Sequence, residues 1–368
     1  MKNRTLSALL VCVLTIPVGN RIVAQDANSE NAGEKTASKA DRFIVFQVPD
    51  ASCAAGGFPS CTIPVGINAE ETVVGYYFDS IDATHGFLRL VDGTITTFDV
   101  PGSVCIDFSS NCAMPTSINS AGAVVGSYSD GTATHGFLRD RYGDYTKLDP
   151  PGSAFTQPNA INRHGEIAGL YCNTTACHGF VRDRHGKFTT IDYPGAVNGT
   201  VPLSINKRGD IVGLWYDASD ASHIFLRDRD GTLVGLDPPG SIYVFQVVID
   251  DGGELVGYYA DPTSLHGFIR HRDGDYTTFS GNAVGIDRSG TVAGWVGNLS
   301  GFGSEGFYRL RDGIIRTFLP PNAVVTTVTG ISPHGEIIGW FTDPTFVTHA
   351  FIRESDRNSR TDEREEED

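Results

Sequence analysis

Three residue types in this chain could do chemistry, and each recurs at intervals. Histidine stands at the second place of a six-residue motif: "THGFLR" at 84–89 and again at 134–139, then "CHGFVR", "SHIFLR", "LHGFIR" and "THAFIR". These are His85, His135, His178, His223, His266 and His349; a further copy, "SEGFYR", carries Glu305 instead. Aspartates gather just before the motif: Asp79, Asp82, Asp130, Asp217, Asp220, Asp261 and Asp343. Six cysteines beyond Cys12 fall in close pairs: Cys53 with Cys61, Cys105 with Cys112, Cys172 with Cys177. Imidazoles and carboxylates invite a metal or catalytic reading, and loop aspartates could bind Ca²⁺. Paired cysteines in an exported chain make disulfides, or else a thiolate metal site.

Spacing weighs these readings. Six equivalent histidines spread along a repeat cannot share one metal, so each is expected to hydrogen-bond a loop within its own unit. No dense D-x-D-x-D run surrounds the aspartates, so turn capping competes with Ca²⁺ ligation; they are carried forward as candidate ligand-binding residues on one face, with no cofactor required. The cysteine pairs lack a C-x-x-C, which favours disulfides 53–61, 105–112 and 172–177 over a metal centre. No G-x-S-x-G, H-E-x-x-H, P-loop or dinucleotide fingerprint occurs.

The elements that position these residues are strands. Ile-Asn or a close variant opens each unit, at Asn68, Asn119, Asn162, Asn206, Asp250, Asp287 and Ser332, and the separations are 51, 43, 44, 44, 37 and 45 residues. A self-similar period of this size signals a propeller or solenoid. Segments such as "AVVGSYSD", "HGFLRDR" and "DYTKLDP" have strand length and composition. N-x-x-G and x-Gly pairs mark the turns between them. Each unit therefore reads as a four-stranded antiparallel meander. The chain starts with a lone fourth strand, "FIVFQVPDAS", and its last unit stops after the third, "THAFIRES". Closing a circle repairs both ends. The expected fold is all-β, a seven-bladed β-propeller of four-stranded antiparallel blades whose ring is closed by strand 43–49.

The motif Phe87, Phe137, Phe180, Phe225, Phe268, Phe307 and Phe351 is expected to fill the space between blades. Glycine recurs in the second strand, at 75, 126, 169, 213, 257, 294 and 339, with an aromatic two residues later in most copies, and would let a ring approach the backbone.

The full unit, "INxxGxIVGxYxDxxxxxHGFLRDxxGxFTTIDxPGA", resembles the extracellular HAF-family repeat, named for a His-Ala-Phe triplet that the last unit keeps as His349-Ala350-Phe351. The resemblance covers about residues 43–353. It implies a secreted bacterial β-propeller and carries no catalytic residues with it. Departures include Glu71 at the turn glycine, Glu305 for His, and the short fifth-to-sixth spacing around "TTFSGNAVGID".

Composition bounds the rest. A formal charge of −16 disfavours nucleic acid and anionic membranes as partners. Residues 1–24, with Lys2 and Arg4 before an apolar run, read as a signal peptide; 25–41 as a disordered linker; 42–354 as the propeller; 355–368 as an acidic tail. No other stretch suits a membrane span. The connections between fourth and first strands and between second and third strands should share one end, and all the long loops and disulfides fall there. The expectation is a secreted (extracellular or periplasmic) monomer without catalytic activity that binds an extracellular glycan or cell-surface protein. The alternative is a carbohydrate-active hydrolase or lyase with acids at the channel mouth.

Overall fold

The computed structural model describes residues 41–52, 61–105, 111–297 and 304–355. The expected signal peptide (1–24), all but the last residue of the expected linker, Cys53 and residues 356–368 of the expected tail lie outside them. No helix occurs among the described residues, and every regular element is a strand.

Strands form where β-branched and aromatic residues alternate, and they stop at turns the sequence encodes. In the first unit these are Thr62–Ile67, Val73–Phe78, Thr84–Arg89 and Ile95–Phe98, paired antiparallel in chain order. Asn68 Oδ1 accepts from Glu70 N–H and Thr72 N–H, tying the first turn. The turn glycines 122, 165, 209, 253, 290 and 335 all adopt positive φ, and Glu71 takes the same conformation at φ 57°.

The expectation of seven separate blades is corrected. Five four-stranded sheets stand as individual blades, and eight further strands join into one continuous sheet. The join is a parallel pairing of Phe155, at the start of one unit, with Thr134, at the start of the previous motif strand. The physical reason is a contact that recurs at the junctions. Ala113 N–H donates to Thr84 O, and Thr326 N–H donates to Ser304 O, at the same place. At Thr134 and Phe155 the contact is a single parallel residue pair between two strands, which links the sheets. The sequence pattern, read one unit at a time, does not register that pairing.

The first strands surround the axis. Thr62–Ile67 contacts Met114–Ile118, each first strand touches the next, and Val325–Ile331 returns to Thr62–Ile67. Asn68, Asn119 and Asn162 each donate through Nδ2 to the backbone carbonyl of the next unit's Asn, at 3.2, 3.0 and 3.0 Å. The ends of the chain meet in one sheet. Phe43–Phe46 pairs with Thr348–Arg353, with Phe43 opposite Arg353 and Phe46 opposite Ala350. That strand is shorter than the expected 43–49.

The core lies between units. All seven motif phenylalanines have no exposed surface. A Cβ on Gly75 would lie 2.2 Å from the Ile63 carbonyl oxygen and 2.6 Å from the Phe87 ring. The ring that needs the glycine thus belongs to the same unit. The first strand's bulge between Pro64 and Gly66 lies beside that carbonyl. The motif arginine closes each unit's edge: Arg89 Nη1 donates to Leu90 O while its guanidinium lies 5.1 Å from the Phe46 ring.

Candidate ligand-binding face

Antiparallel pairing places the second-to-third loops and the fourth-to-first connections at one end of every unit. The predicted aspartates are all there. Five of the seven begin a tight turn. Asp79 Oδ1 accepts from Ile81 N–H and Ala83 N–H, both at 2.9 Å. Asp130, Asp217, Asp261 and Asp343 hold their own loops in the same way. Asp82 and Asp220 take left-handed φ of 62° and 64° at the loop tip.

The other carboxylate oxygen faces the motif histidine. Asp79 Oδ2 lies 3.2 Å from His85 Nε2, Asp130 Oδ2 2.9 Å from His135 Nε2, Asp261 Oδ2 2.8 Å from His266 Nε2, and Asp343 Oδ2 3.0 Å from His349 Nε2. At His223 the gap to Asp217 is 3.6 Å, and at His178 the partner is Asn173 at 3.3 Å. In five of the six the second ring nitrogen is occupied too, in the last unit by Gln47 at 3.2 Å from His349 Nδ1. His85 Nδ1 meets Asp99 at 2.7 Å, His135 meets Asp149 at 2.7 Å, His178 meets Asp192 at 2.9 Å and His223 meets Asp237 at 2.7 Å. Those fourth-strand aspartates were missed by sequence reasoning; the recurring Asp two residues before Pro-Gly was the available signal.

An aromatic ring covers each histidine: Tyr77 over His85 at 5.2 Å, Tyr128 over His135, Tyr171 over His178, Trp215 over His223 at 4.3 Å, Tyr259 over His266 and Phe341 over His349. The unit that carries Glu305 in place of His also carries Val296 at the aromatic slot and Leu319 at the aspartate slot. Three slots change together there, whereas the aspartate slot alone varies in the His266 unit, which has Ser280. With a carboxylate at each nitrogen, the His85 imidazole is placed to donate from both.

Electrostatics agree. The Thr132, Thr263 and Thr345 hydroxyls, with backbone N–H groups and the histidines, hold Asp130, Asp261 and Asp343 well below the usual carboxylate range. Asp99 raises His85 above its ordinary value against the opposing effect of burial.

Two of the expected disulfides are present, Cys105–Cys112 and Cys172–Cys177, and both brace this end. The 53–61 pairing involves Cys53, outside the described residues. The face also presents apolar side chains that the sequence reading passed over. Val197, Ile242 and Val324 occupy one repeated slot after Pro-Gly-Ser or its variants; they are 65%, 55% and 42% exposed. Ile81 and Phe346 stand at loop tips, and Phe346 is 70% exposed at φ 64°. An apolar residue recurring at one slot of a turn was the signal for the first three.

Two cavities lie away from the loop aspartates. A cavity of about 230 Å³ on the axis, toward the short-turn end, is walled by Ile67, Ile118, Ile249, Ile286 and Ile331 and has no titratable side chain in its lining. A groove of about 470 Å³ between neighbouring units is lined by Val100, Pro101, Tyr128, Tyr145 and Lys147 among others.

No known family pattern and no curated protein matches the chain. Solved structures do. A catalytically inactive virginiamycin B lyase from Staphylococcus aureus, crystallised with quinupristin, superposes with a TM-score of 0.56 at 14% identity, over 86% of this chain and 100% of that one. The β-propeller domain of the Trilobed protease from Pyrococcus furiosus gives 0.58 at 11% identity, over 81% and 96%. A prolyl endopeptidase gives 0.59 at 10% identity, over 80% of this chain and 50% of the other. At such identities the likeness establishes the β-propeller fold alone. The Pyrococcus domain is described as having an open velcro topology, whereas here the first strand joins the last sheet.

Proposed function

We propose that the protein is a secreted, non-catalytic binding module that engages an extracellular partner through its long-loop face, with Phe346 as an anchor. The observation that carries this reading is the backbone of Phe346. A left-handed φ costs a bulky L-residue on the order of 1–3 kcal/mol. The equivalent loop tips carry Asp82 and Asp220, whose short polar side chains tolerate that conformation. Phe346 accepts the strain and still leaves its ring in solvent. Exposed aromatics on braced loops are typical binding anchors. The exposed aliphatic side chains at the same end of the units, Val197, Ile242 and Val324, favour a protein partner over a glycan. Two disulfides fit an oxidising compartment, and no helix among the described residues is long and apolar enough to cross a membrane.

A hydrolase or lyase would need two carboxylates converging on one opening. The loop aspartates are instead distributed one turn to a unit, each held by its own backbone N–H groups.

The test is Phe346→Asn. Labelled full-length protein, wild type and variant, is applied to a glycan array and to intact bacterial cells before and after surface proteolysis. Binding lost on proteolysis names a protein partner; binding retained, with array signal, names a glycan. In either case Phe346→Asn should reduce binding at least about tenfold while keeping or raising the melting temperature. Undiminished binding by the variant would refute the reading.

A further inference from the structure

Independently of that reading, we propose that opening the Cys105–Cys112 disulfide creates a tetrahedral Zn²⁺ site formed by the two thiolates, His85 Nδ1 and the Asp99 carboxylate. One ligand atom from each of these four residues already lies within 4.8 Å of every other. In a tetrahedral Zn²⁺ site the ligand atoms are roughly 3–4 Å apart, so modest side-chain rotation gathers them. Two soft sulfurs with an imidazole suit Zn²⁺ and not Ca²⁺.

The second observation is the outer partner of the imidazole. Asp79 Oδ2 takes His85 Nε2 at 3.2 Å, and the Tyr77 ring lies against the same imidazole. A carboxylate on the remote nitrogen is the arrangement that fixes the tautomer of zinc-bound histidine and aims the other nitrogen at the metal. Other units hold a comparable Asp-His-Asp set, but none of their histidines belongs to a metal-ligating group of three or more among the described residues. Cys112 and Asp99 differ in access: the former is buried and the latter exposed, so metal enters from the Asp99 side.

The chemistry balances as a dithiol exchange. An external dithiol supplies two electrons and two protons, becomes a disulfide itself, and leaves Cys105 and Cys112 as thiols. Binding of Zn²⁺ then releases those two protons to water and forms two Zn–S bonds, one Zn–N bond and one Zn–O bond. The disulfide and the metal are therefore alternative cross-links for the same loop.

The experiment uses the full chain, reduced with an immobilised dithiol and separated from it without oxygen, and Co²⁺ as the spectroscopic probe. Reduced wild type should bind one equivalent of Co²⁺ with a thiolate charge-transfer band and intense tetrahedral d–d bands, all displaced by Zn²⁺. The oxidised protein should show none. Cys105→Ser with Cys112→Ser should abolish the bands, His85→Gln and Asp99→Asn should weaken binding at least about tenfold, and His135→Gln should bind like wild type. Bands that survive the double cysteine variant, or affinity unchanged in His85→Gln, would overturn the proposal. If reduction lowers the melting temperature, one equivalent of Zn²⁺ must restore it in wild type and not in His85→Gln; failure to restore it counts equally against the site.

Discussion

Asp41 accepts two hydrogen bonds from Arg353, from Nη2 at 2.7 Å and Nε at 3.0 Å, across 312 residues of chain. Arg353 is the last copy of the motif arginine; its guanidinium is almost fully buried, lying 4.2 Å from the Tyr308 ring and 5.6 Å from the Phe318 ring. This pair fastens the strand that joins the two ends of the fold.

Asp41→Ala should therefore destabilise the whole molecule. A hydrogen bond to a charged group contributes about 1.5–3 kcal/mol, and the arginine is left buried beside aromatic rings. The expected loss is about 2 kcal/mol, read as a lower urea midpoint with an unchanged slope. A slope that falls along with the midpoint would mean that the end strand peels away separately.

The His85 strut predicts a pH dependence with two limbs. The folded state raises His85 above its ordinary 6.5, so its contribution is fully present below about pH 6.5 and disappears as pH rises through the folded value. Asp79 is lowered below its ordinary 3.8; burial opposes this, and the Ile81 and Ala83 N–H groups with His85 outweigh it. Its contribution is present above about pH 3.8 and is lost as pH falls through the folded value. Stability in His85→Gln should thus approach wild type on the alkaline side and fall short of it near pH 5, in thermal melts across pH.

Glu71→Gly should stabilise. Glu71 holds a left-handed φ of 57° where the other units use glycine, and burial together with the Glu336 carboxylate pushes its own carboxyl up. Removing that strain outweighs the added freedom of the unfolded chain, for a net gain of about 0.5–1 kcal/mol. The mirror change, Gly122→Ala at φ 78°, should cost a similar amount or more. Chemical denaturation of both variants checks the sign.

Gly86 and Phe98 should be energetically coupled. A Cβ on Gly86 would lie 2.5 Å from the Phe98 ring, so Gly86→Ala should cost about 1–3 kcal/mol. In a sister unit the same slots hold Ile224 and Leu236. Gly86→Ala combined with Phe98→Leu should recover part of the loss, and a double-mutant cycle should show a coupling of at least about 0.5 kcal/mol.

Much of this was legible in the chain because it is local. The strand period of two, the Asn and Gly of the turns, the buried phenylalanines and two of the cysteine pairs all depend on residues a few positions apart, and they appear where the sequence places them. The histidines and loop aspartates could be located but not interpreted. Their partners, Asp99 for His85 and Asp149 for His135, come from the end of the adjacent fourth strand, 14 residues on.

By itself, then, the sequence determined an all-β chain of repeated antiparallel units, the turns that Asp79 and its counterparts begin, and the orphan strand at one end that finds its place beside Thr348–Arg353. Only the tertiary structure decided that two units fuse through Thr134 and Phe155 into one eight-stranded sheet, that the Cys105 and Cys112 sulfurs come to rest beside His85 and Asp99, and that Phe346 stays strained and exposed. The reason is physical. Hydrogen-bonding period and turn preference are properties of neighbouring residues, whereas contacts between units depend on how the whole ring closes and how each unit is packed against the next.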